Sequence, residues 1–101
     1  MKLYIDTSNG EKIIIKLDEE IFETTSREDK SQKLLKFIDE ILNKKNKKIK
    51  EIKEIEVHTG PGSFTGLRIG VSVAITLGWA LGIPVNGKDI RKGEALDIKY
   101  S

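Results

Sequence analysis

His58-Thr-Gly-Pro-Gly-Ser-Phe-Thr-Gly-Leu-Arg-Ile-Gly70 follows the alternating segment Glu54-Ile-Glu-Val57 and opens a long run without charge. Alternation at period two reads as a strand, Gly60-Pro-Gly62 as a turn, and Ser63 or Thr65 as the cap of a helix starting near Phe64. Strand, glycine-rich turn and helix in succession point to an α/β domain, the class in which such turns carry function. Local chemistry leaves two uses open for Gly60, Pro61, Gly62 and Ser63. Either the turn reverses the chain and caps the helix, or its amides attract an anion at the helix start. No Gly-Lys-Ser/Thr follows, so it is not a Walker phosphate loop.

Projected at about 100° per residue, the helix from about Phe64 to Leu81 places Leu67, Gly70, Val71, Ala74, Leu77 and Leu81 on one side. That side is expected on the sheet. The other carries Thr65, Arg68, Ser72 and Thr76, as a solvated face does, but also Ile69, Ile75 and Trp79. Contiguous exposed apolar surface marks an interface, so Arg68, Ile69, Ser72, Ile75, Thr76 and Trp79 form the candidate partner face. Gly66, Gly70, Ala74, Gly78 and Gly82 recur every four residues. Each glycine costs about 1 kcal/mol against alanine in a solvated helix, so the ridge calls for close packing, on the chain's own sheet or on a partner helix.

Upstream, Lys2–Ile5 and Lys12–Leu17 read as strands around the Asn9-Gly10 hairpin signal. A third strand is expected from about Glu20 to Glu23. Thr25-Ser-Arg-Glu28 reads as a capping box with Thr25 as N-cap, ahead of Leu34, Leu35, Ile38, Ile41 and Leu42 at helical spacing. Lys44 to Ile55 then holds six lysines against two glutamates. This stretch is a solvated helix end or a surface attractive to RNA phosphates. No aromatic residues interleave with the lysines, as a platform for single strands requires.

One hundred and one residues make one small domain, burying roughly 60 to 65% of its unfolded surface. With 34% charged and 38% hydrophobic residues and a net charge of +2, the composition is that of a globular protein. There is no cysteine and one histidine, which excludes a disulfide framework and a His/Cys metal site. Met1-Lys-Leu-Tyr-Ile-Asp6 lacks the apolar region of a secretory signal, and a cytoplasmic setting is expected. Ile69 to Gly87 is nineteen residues without charge, long enough to span a bilayer. Ser72, Thr76, four glycines and Pro84 favour instead a buried helix followed by a short strand near Ile83 to Val85.

Gly60-Pro-Gly-Ser-Phe-Thr-Gly-Leu-Arg-Ile-Gly-Val-Ser-Val-Ala74, ending in Trp79-Ala-Leu-Gly-Ile-Pro-Val85, resembles the signature of the TsaB (YeaZ) family. The resemblance covers residues 1 to about 87 and is strongest from Gly60 to Val85. It implies the non-catalytic partner of TsaD in making threonylcarbamoyladenosine on tRNA. It also implies a ribonuclease-H-like, actin-like ATPase lobe with a mixed sheet and two main helices. TsaB proteins meet TsaD through the first two helices of this lobe, so the resemblance adds Phe37, after Ser31-Gln-Lys-Leu-Leu35, to the interface set. TsaD proteins carry two metal-binding histidines on the equivalent of the first helix, and this helix has none. Asp6, Thr7 and Ser8 occupy the place of the first phosphate loop of actin-like ATPases. Their inherited role is metal and phosphate contact, and their plain one is turn formation.

Two departures stand out. After Val85 the family continues into a second lobe, whereas this chain runs Asn86-Gly-Lys-Asp-Ile-Arg-Lys-Gly-Glu-Ala95 toward Ser101. Ile75-Thr76 also replaces a basic or polar residue and a glycine. The expectation is a TsaB-like lobe over 1–87, with 88–101 as a tail or an edge strand through Ala95 to Tyr100. It has no catalytic residues and no metal, and uses ATP and magnesium only through a partner subunit. It pairs with a TsaD-type protein, forms a homodimer when alone, meets tRNA only indirectly and does not enter a membrane.

Overall fold

Leu3 and Ile5 alternate with Lys2, Tyr4 and Asp6, so the first strand buries one face and leaves the other to water. The same alternation repeats along the sheet and fixes its orientation. A computed structural model describes residues 1–27 and 29–99. Its elements are β1 (Lys2–Asp6), β2 (Lys12–Leu17), β3 (Glu20–Thr25), α1 (Lys30–Lys44), β4 (Glu54–Val57) and α2 (Phe64–Leu81). Short 3-10 turns occupy Ile49–Glu51 and Ile90–Lys92.

The sheet order is β3-β2-β1-β4. β1 pairs antiparallel with β2, Ile5 opposite Ile15, and parallel with β4, Ile5 opposite Val57. Leu3, Ile5, Ile13, Ile15, Leu17, Ile55 and Val57 form the buried face. Against it pack Leu34, Ile38, Ile41 and Leu42 of α1 and Leu67, Val71, Val73 and Ala74 of α2. The opposite face is polar, with Lys2 paired to Glu56 at 2.7 Å and the Lys16 ammonium 5.1 Å from the centre of the Tyr4 ring.

Four details differ from the sequence expectation. The third strand runs on to Thr25, which pairs with Lys12, and Ser26 N donates to Glu11 O at 2.9 Å. Thr25 is therefore a strand residue and not the N-cap of α1. Asp29 takes that place, in a left-handed conformation (φ 35°), its carboxylate accepting from Gln32 N at 3.2 Å. The proposed box partner Glu28 lies outside the described residues. Leu35, one residue and a quarter-turn from buried Leu34, is exposed. The strand expected near Ile83 to Val85 is reduced to one parallel bridge, Val85 to Ile55. Beyond it the Asn86 side chain continues the ladder, accepting from Val57 N at 2.8 Å and donating to Val57 O at 3.0 Å.

α2 is long and apolar enough to cross a membrane, yet its inward stripe lies on the sheet. The small-residue ridge is the reason it can lie so close. A Cβ on Gly66 would stand 2.1 Å from Thr7 O, one on Gly70 2.4 Å from Thr7 Oγ1, and one on Gly78 2.4 Å from Val85. Gly66, Gly70 and Gly78 thus pack on the chain's own strand ends and Val85, and Gly82 lies against Arg91, so the close packing of the ridge is within the chain.

The segment after Val85 folds back. Ile90 is buried, and Leu96 and Ile98 pack against the core. Arg91 donates to Trp79 O (2.7 Å) and Ala80 O (3.2 Å), placing positive charge at the carbonyl end of α2. Lys99 N donates to Thr59 O at 2.7 Å. No strand forms over 94–99, and Tyr100, the end of the alternative edge strand, lies outside the described residues.

Candidate functional site

The C-terminal ends of the parallel pair β1 and β4 lie side by side, the place where open α/β sheets carry their sites. The glycine turn and the Asp6 loop meet there, with Ser63 N donating to Ser8 O at 2.9 Å. Ser63 is the N-cap of α2, its hydroxyl accepting from Gly66 N at 3.3 Å. Gly62 lies so close to the loop that a Cβ there would fall 2.5 Å from the Cβ of Ser8. Gly60 has φ 134°, and a Cβ on it would fall 1.7 Å from Lys99 O. The Gly60–Pro61 peptide is cis.

The groups a phosphate would need are engaged within the chain. Asp6 Oδ1 accepts from Ser8 N at 2.9 Å and from Ser8 Oγ at 2.6 Å, an Asx turn. Thr7 is buried and its hydroxyl donates to Gly66 O at 2.6 Å. Lys30 donates to Thr7 O at 2.9 Å and to Gly10 O, locking the hairpin to the start of α1. Its pKa is lowered from the ordinary lysine value, chiefly by desolvation, with Asp6 and Glu11 opposing. Among the described residues no group of three His, Cys, Asp or Glu side chains could hold a metal ion. The single histidine, His58, has Nε2 3.1 Å from the Pro61 carbonyl oxygen, so its ring contacts backbone and not a hydroxyl nucleophile.

The second feature is the outer face of α2. Arg68, Ser72, Thr76 and Trp79 are exposed, Trp79 at 56%. Phe64 joins them at 56%, and the Arg68 guanidinium lies 5.5 Å from its ring centre. Residues 64, 68, 72, 76 and 79 step by four, four, four and three, which keeps them on one side of the helix. Phe64 was missed as a site residue because it sits at the helix start, where it reads as part of the turn. Ile69 and Ile75 are half-buried and packed against the core. Six residues apart, they are rotated by about 120° from each other and flank the exposed stripe instead of forming its centre. Thr76 Oγ1 is bonded to Ser72 O at 2.9 Å. An open groove of about 430 Å³ runs between the starts of the two helices, lined by Ser31, Phe64, Thr65, Arg68, Ile69 and neighbours. Phe37 is half-buried on α1.

Residues 21–88 match the model of the family described as TsaD, tRNA N6-adenosine threonylcarbamoyltransferase. The chain belongs to the TsaD family. Among its relatives is the tRNA threonylcarbamoyladenosine biosynthesis protein TsaB of Bacillus subtilis, 36% identical over 88 residues, which are 83% of this chain and 38% of TsaB. The lobe superposes on YeaZ from Pseudomonas aeruginosa with a TM-score of 0.70 at 27% identity, over 83% of this chain and 41% of YeaZ. A second Pseudomonas aeruginosa structure, of a protein described as similar to peptidase YeaZ, gives 0.71 at 27% identity, over 83% and 40%. The chain spans about two fifths of the length of these relatives.

The TsaB resemblance carried by Gly60 to Val85 is thereby borne out, as is the actin-like, ribonuclease-H-like lobe. In this TsaD-family chain the polar groups of Asp6, Thr7 and Ser8 at the strand ends are engaged by hydrogen bonds within the chain. The outer side of α2 carries exposed Phe64 and Trp79.

Proposed function

We propose that this chain is a non-catalytic, TsaB-like subunit that docks a TsaD-type enzyme and supports threonylcarbamoyladenosine modification of tRNA. The carrying observation is the exposed stripe of α2. Of the five large apolar side chains exposed among the described residues, three, Leu35, Phe64 and Trp79, lie on the two helices. An exposed tryptophan beside an arginine stacked on phenylalanine is the composition of an interface hot spot, where one aromatic contributes ~2 kcal/mol or more. Ser72 and Thr76 give the stripe a flat polar strip against which a second helix can lie. Phe37, Ile69 and Ile75 support the exposed residues from the flanks, where they pack against the core.

The engaged Asp6, Thr7 and Ser8 support a subunit without chemistry of its own, and catalysis, with any ATP and magnesium, then belongs to the partner. Alone, the chain would cover the same stripe with a second copy. Its working compartment is the cytoplasm, where tRNA modification takes place.

The test is co-purification with the cognate TsaD-type protein. Wild type is expected to co-elute. Ser72→Arg should stay folded by circular dichroism and bind at least about tenfold more weakly, because an unpaired arginine in a packed interface costs more than about 1.4 kcal/mol. Ala74→Arg puts a charge at a fully buried position on the sheet side of the helix and should unfold the domain. A folded wild type that does not bind, or a folded Ser72→Arg that binds as tightly, overturns the proposal.

A further inference from the structure

We propose that the connection between α1 and β4 is a second contact surface, one that holds the phosphate backbone of folded RNA. Lys44, Lys45, Lys47, Lys48, Lys50 and Lys53 fall within ten residues, and all are exposed. The segment that carries them is an ordered loop. Lys47 N donates to Leu42 O at 2.8 Å, Lys48 N to Glu51 Oε2 at 2.7 Å and Lys53 N to Met1 O at 2.8 Å. The Met1 ammonium donates to Glu51 O at 3.0 Å, and Ile52 is anchored in the core. Lysines presented on such a backbone lose less freedom on binding than lysines on a loose linker.

The acidic groups at this end of the sheet are largely committed elsewhere. Glu20 pairs with Lys45 at 2.6 Å, Glu56 pairs with Lys2, and Asp18 accepts from Lys2 N at 2.9 Å. The Glu51 carboxylate is held by the Lys48 amide, which lowers its pKa, with Lys47 and Lys48 adding to the effect. Glu19 and Glu54 act on Lys2. Lys44, Lys47, Lys48, Lys50 and Lys53 form no ion pair among the described residues.

The choice of RNA as the polyanion rests on the family reading above, since the family and the TsaB relative are described by their tRNA chemistry. The loop's own chemistry agrees. Lysine is a point charge suited to phosphate, whereas paired recognition of carboxylates favours arginine forks, and the loop has no arginine. Its one exposed large apolar residue is Ile49, too little to seat a peptide side chain or anchor in a bilayer. Without aromatic residues the loop cannot stack splayed bases, so its contacts are to backbone and independent of sequence. The expectation that tRNA is met only through the partner is extended accordingly.

The experiment measures filter binding of an unmodified tRNA transcript across a salt series, using the full chain. Wild type should bind with salt-dependent affinity. The double variant K47E/K48E should lower the salt slope by about 2, one for each lost phosphate contact, and weaken binding at low salt. The control K88E/K92E carries the same charge change on the C-terminal segment and should leave the slope near wild type. No binding by folded wild type, or equal loss in both variants, overturns the proposal. So does preferential capture by poly-glutamate or by anionic phosphatidylserine vesicles that tRNA does not displace. The two readings fail separately: K47E/K48E should still co-elute with the TsaD-type protein, and Ser72→Arg should still bind tRNA.

Discussion

Thr7 Oγ1 donates to the Gly66 carbonyl oxygen across 2.6 Å, and this hydroxyl oxygen of Thr7 lies 2.4 Å from where a side chain on Gly70 would begin. One buried hydroxyl thus joins the end of β1 to the first turns of α2 and fixes how closely the helix approaches.

This geometry predicts a coupled pair. Thr7→Ala removes a buried hydrogen bond and a methyl group, about 1 to 2 kcal/mol together. Gly70→Ala overpacks the contact at a cost of about 1 to 3 kcal/mol, partly offset by better helix propensity. In the double variant the new methyl enters space the old hydroxyl has left. The double variant should therefore be more stable than the two single losses predict, by about 1 kcal/mol in urea unfolding. Additivity within about 0.5 kcal/mol would show that the two residues do not share that space.

The cap of α1 gives a second prediction. Asp29→Ala loses the carboxylate that holds Gln32 N and leaves alanine in a left-handed conformation. The expected loss is about 1 to 2 kcal/mol. Asp29→Asn keeps both properties and should be close to neutral. Thr25→Ala, at an exposed strand end, should cost less than Asp29→Ala. The reverse order in thermal melts would return the cap to Thr25.

That cap shows where the sequence was legible and where it was not. Thr25 through Glu28 satisfies the spacing of a capping box, but strand pairing to Lys12 claims Thr25 first, and spacing alone cannot weigh a long-range partner. The alternation of Leu3 and Ile5 and the inward side of α2 were readable because each depends on local period. Leu35 was misplaced because adjacent leucines both fit a broad helical stripe and only packing separates them. The outer set of α2 was read correctly at Arg68, Ser72, Thr76 and Trp79. Ile69 and Ile75 are half-buried because they pack against core residues, neighbours that a helical projection does not contain.

A third prediction concerns nucleotide. Among the described residues Asp6 is held by Ser8 and Thr7 by Gly66, so neither is free to position water or to contact a transferring phosphoryl group. Phosphate release from ATP and magnesium should match the buffer rate for both wild type and Asp6→Ala. Magnesium-dependent turnover that disappears in Asp6→Ala would show that the strand-end loop opens to bind nucleotide.

The last prediction follows from Trp79. The residue is 56% exposed near the end of α2, while its carbonyl accepts from Arg91 Nε at 2.7 Å, so the backbone is fixed and the side chain is displayed. A side chain of this size left in water favours any partner able to cover it. The isolated chain offers one such partner in a second copy, and a twofold pairing places each stripe against the other. Sedimentation should therefore show a concentration-dependent dimer for wild type. Trp79→Glu should shift it to monomer, since a carboxylate without a partner is costly in a covered interface. Its fold should be unchanged, because Trp79 is outside the buried core cluster. Under the proposed docking a TsaD-type protein would compete for the same stripe, so adding it should dissolve the homodimer as the heterodimer forms. A wild type that stays monomeric at high concentration, or a dimer indifferent to both Trp79→Glu and the added partner, would place the self-association surface elsewhere.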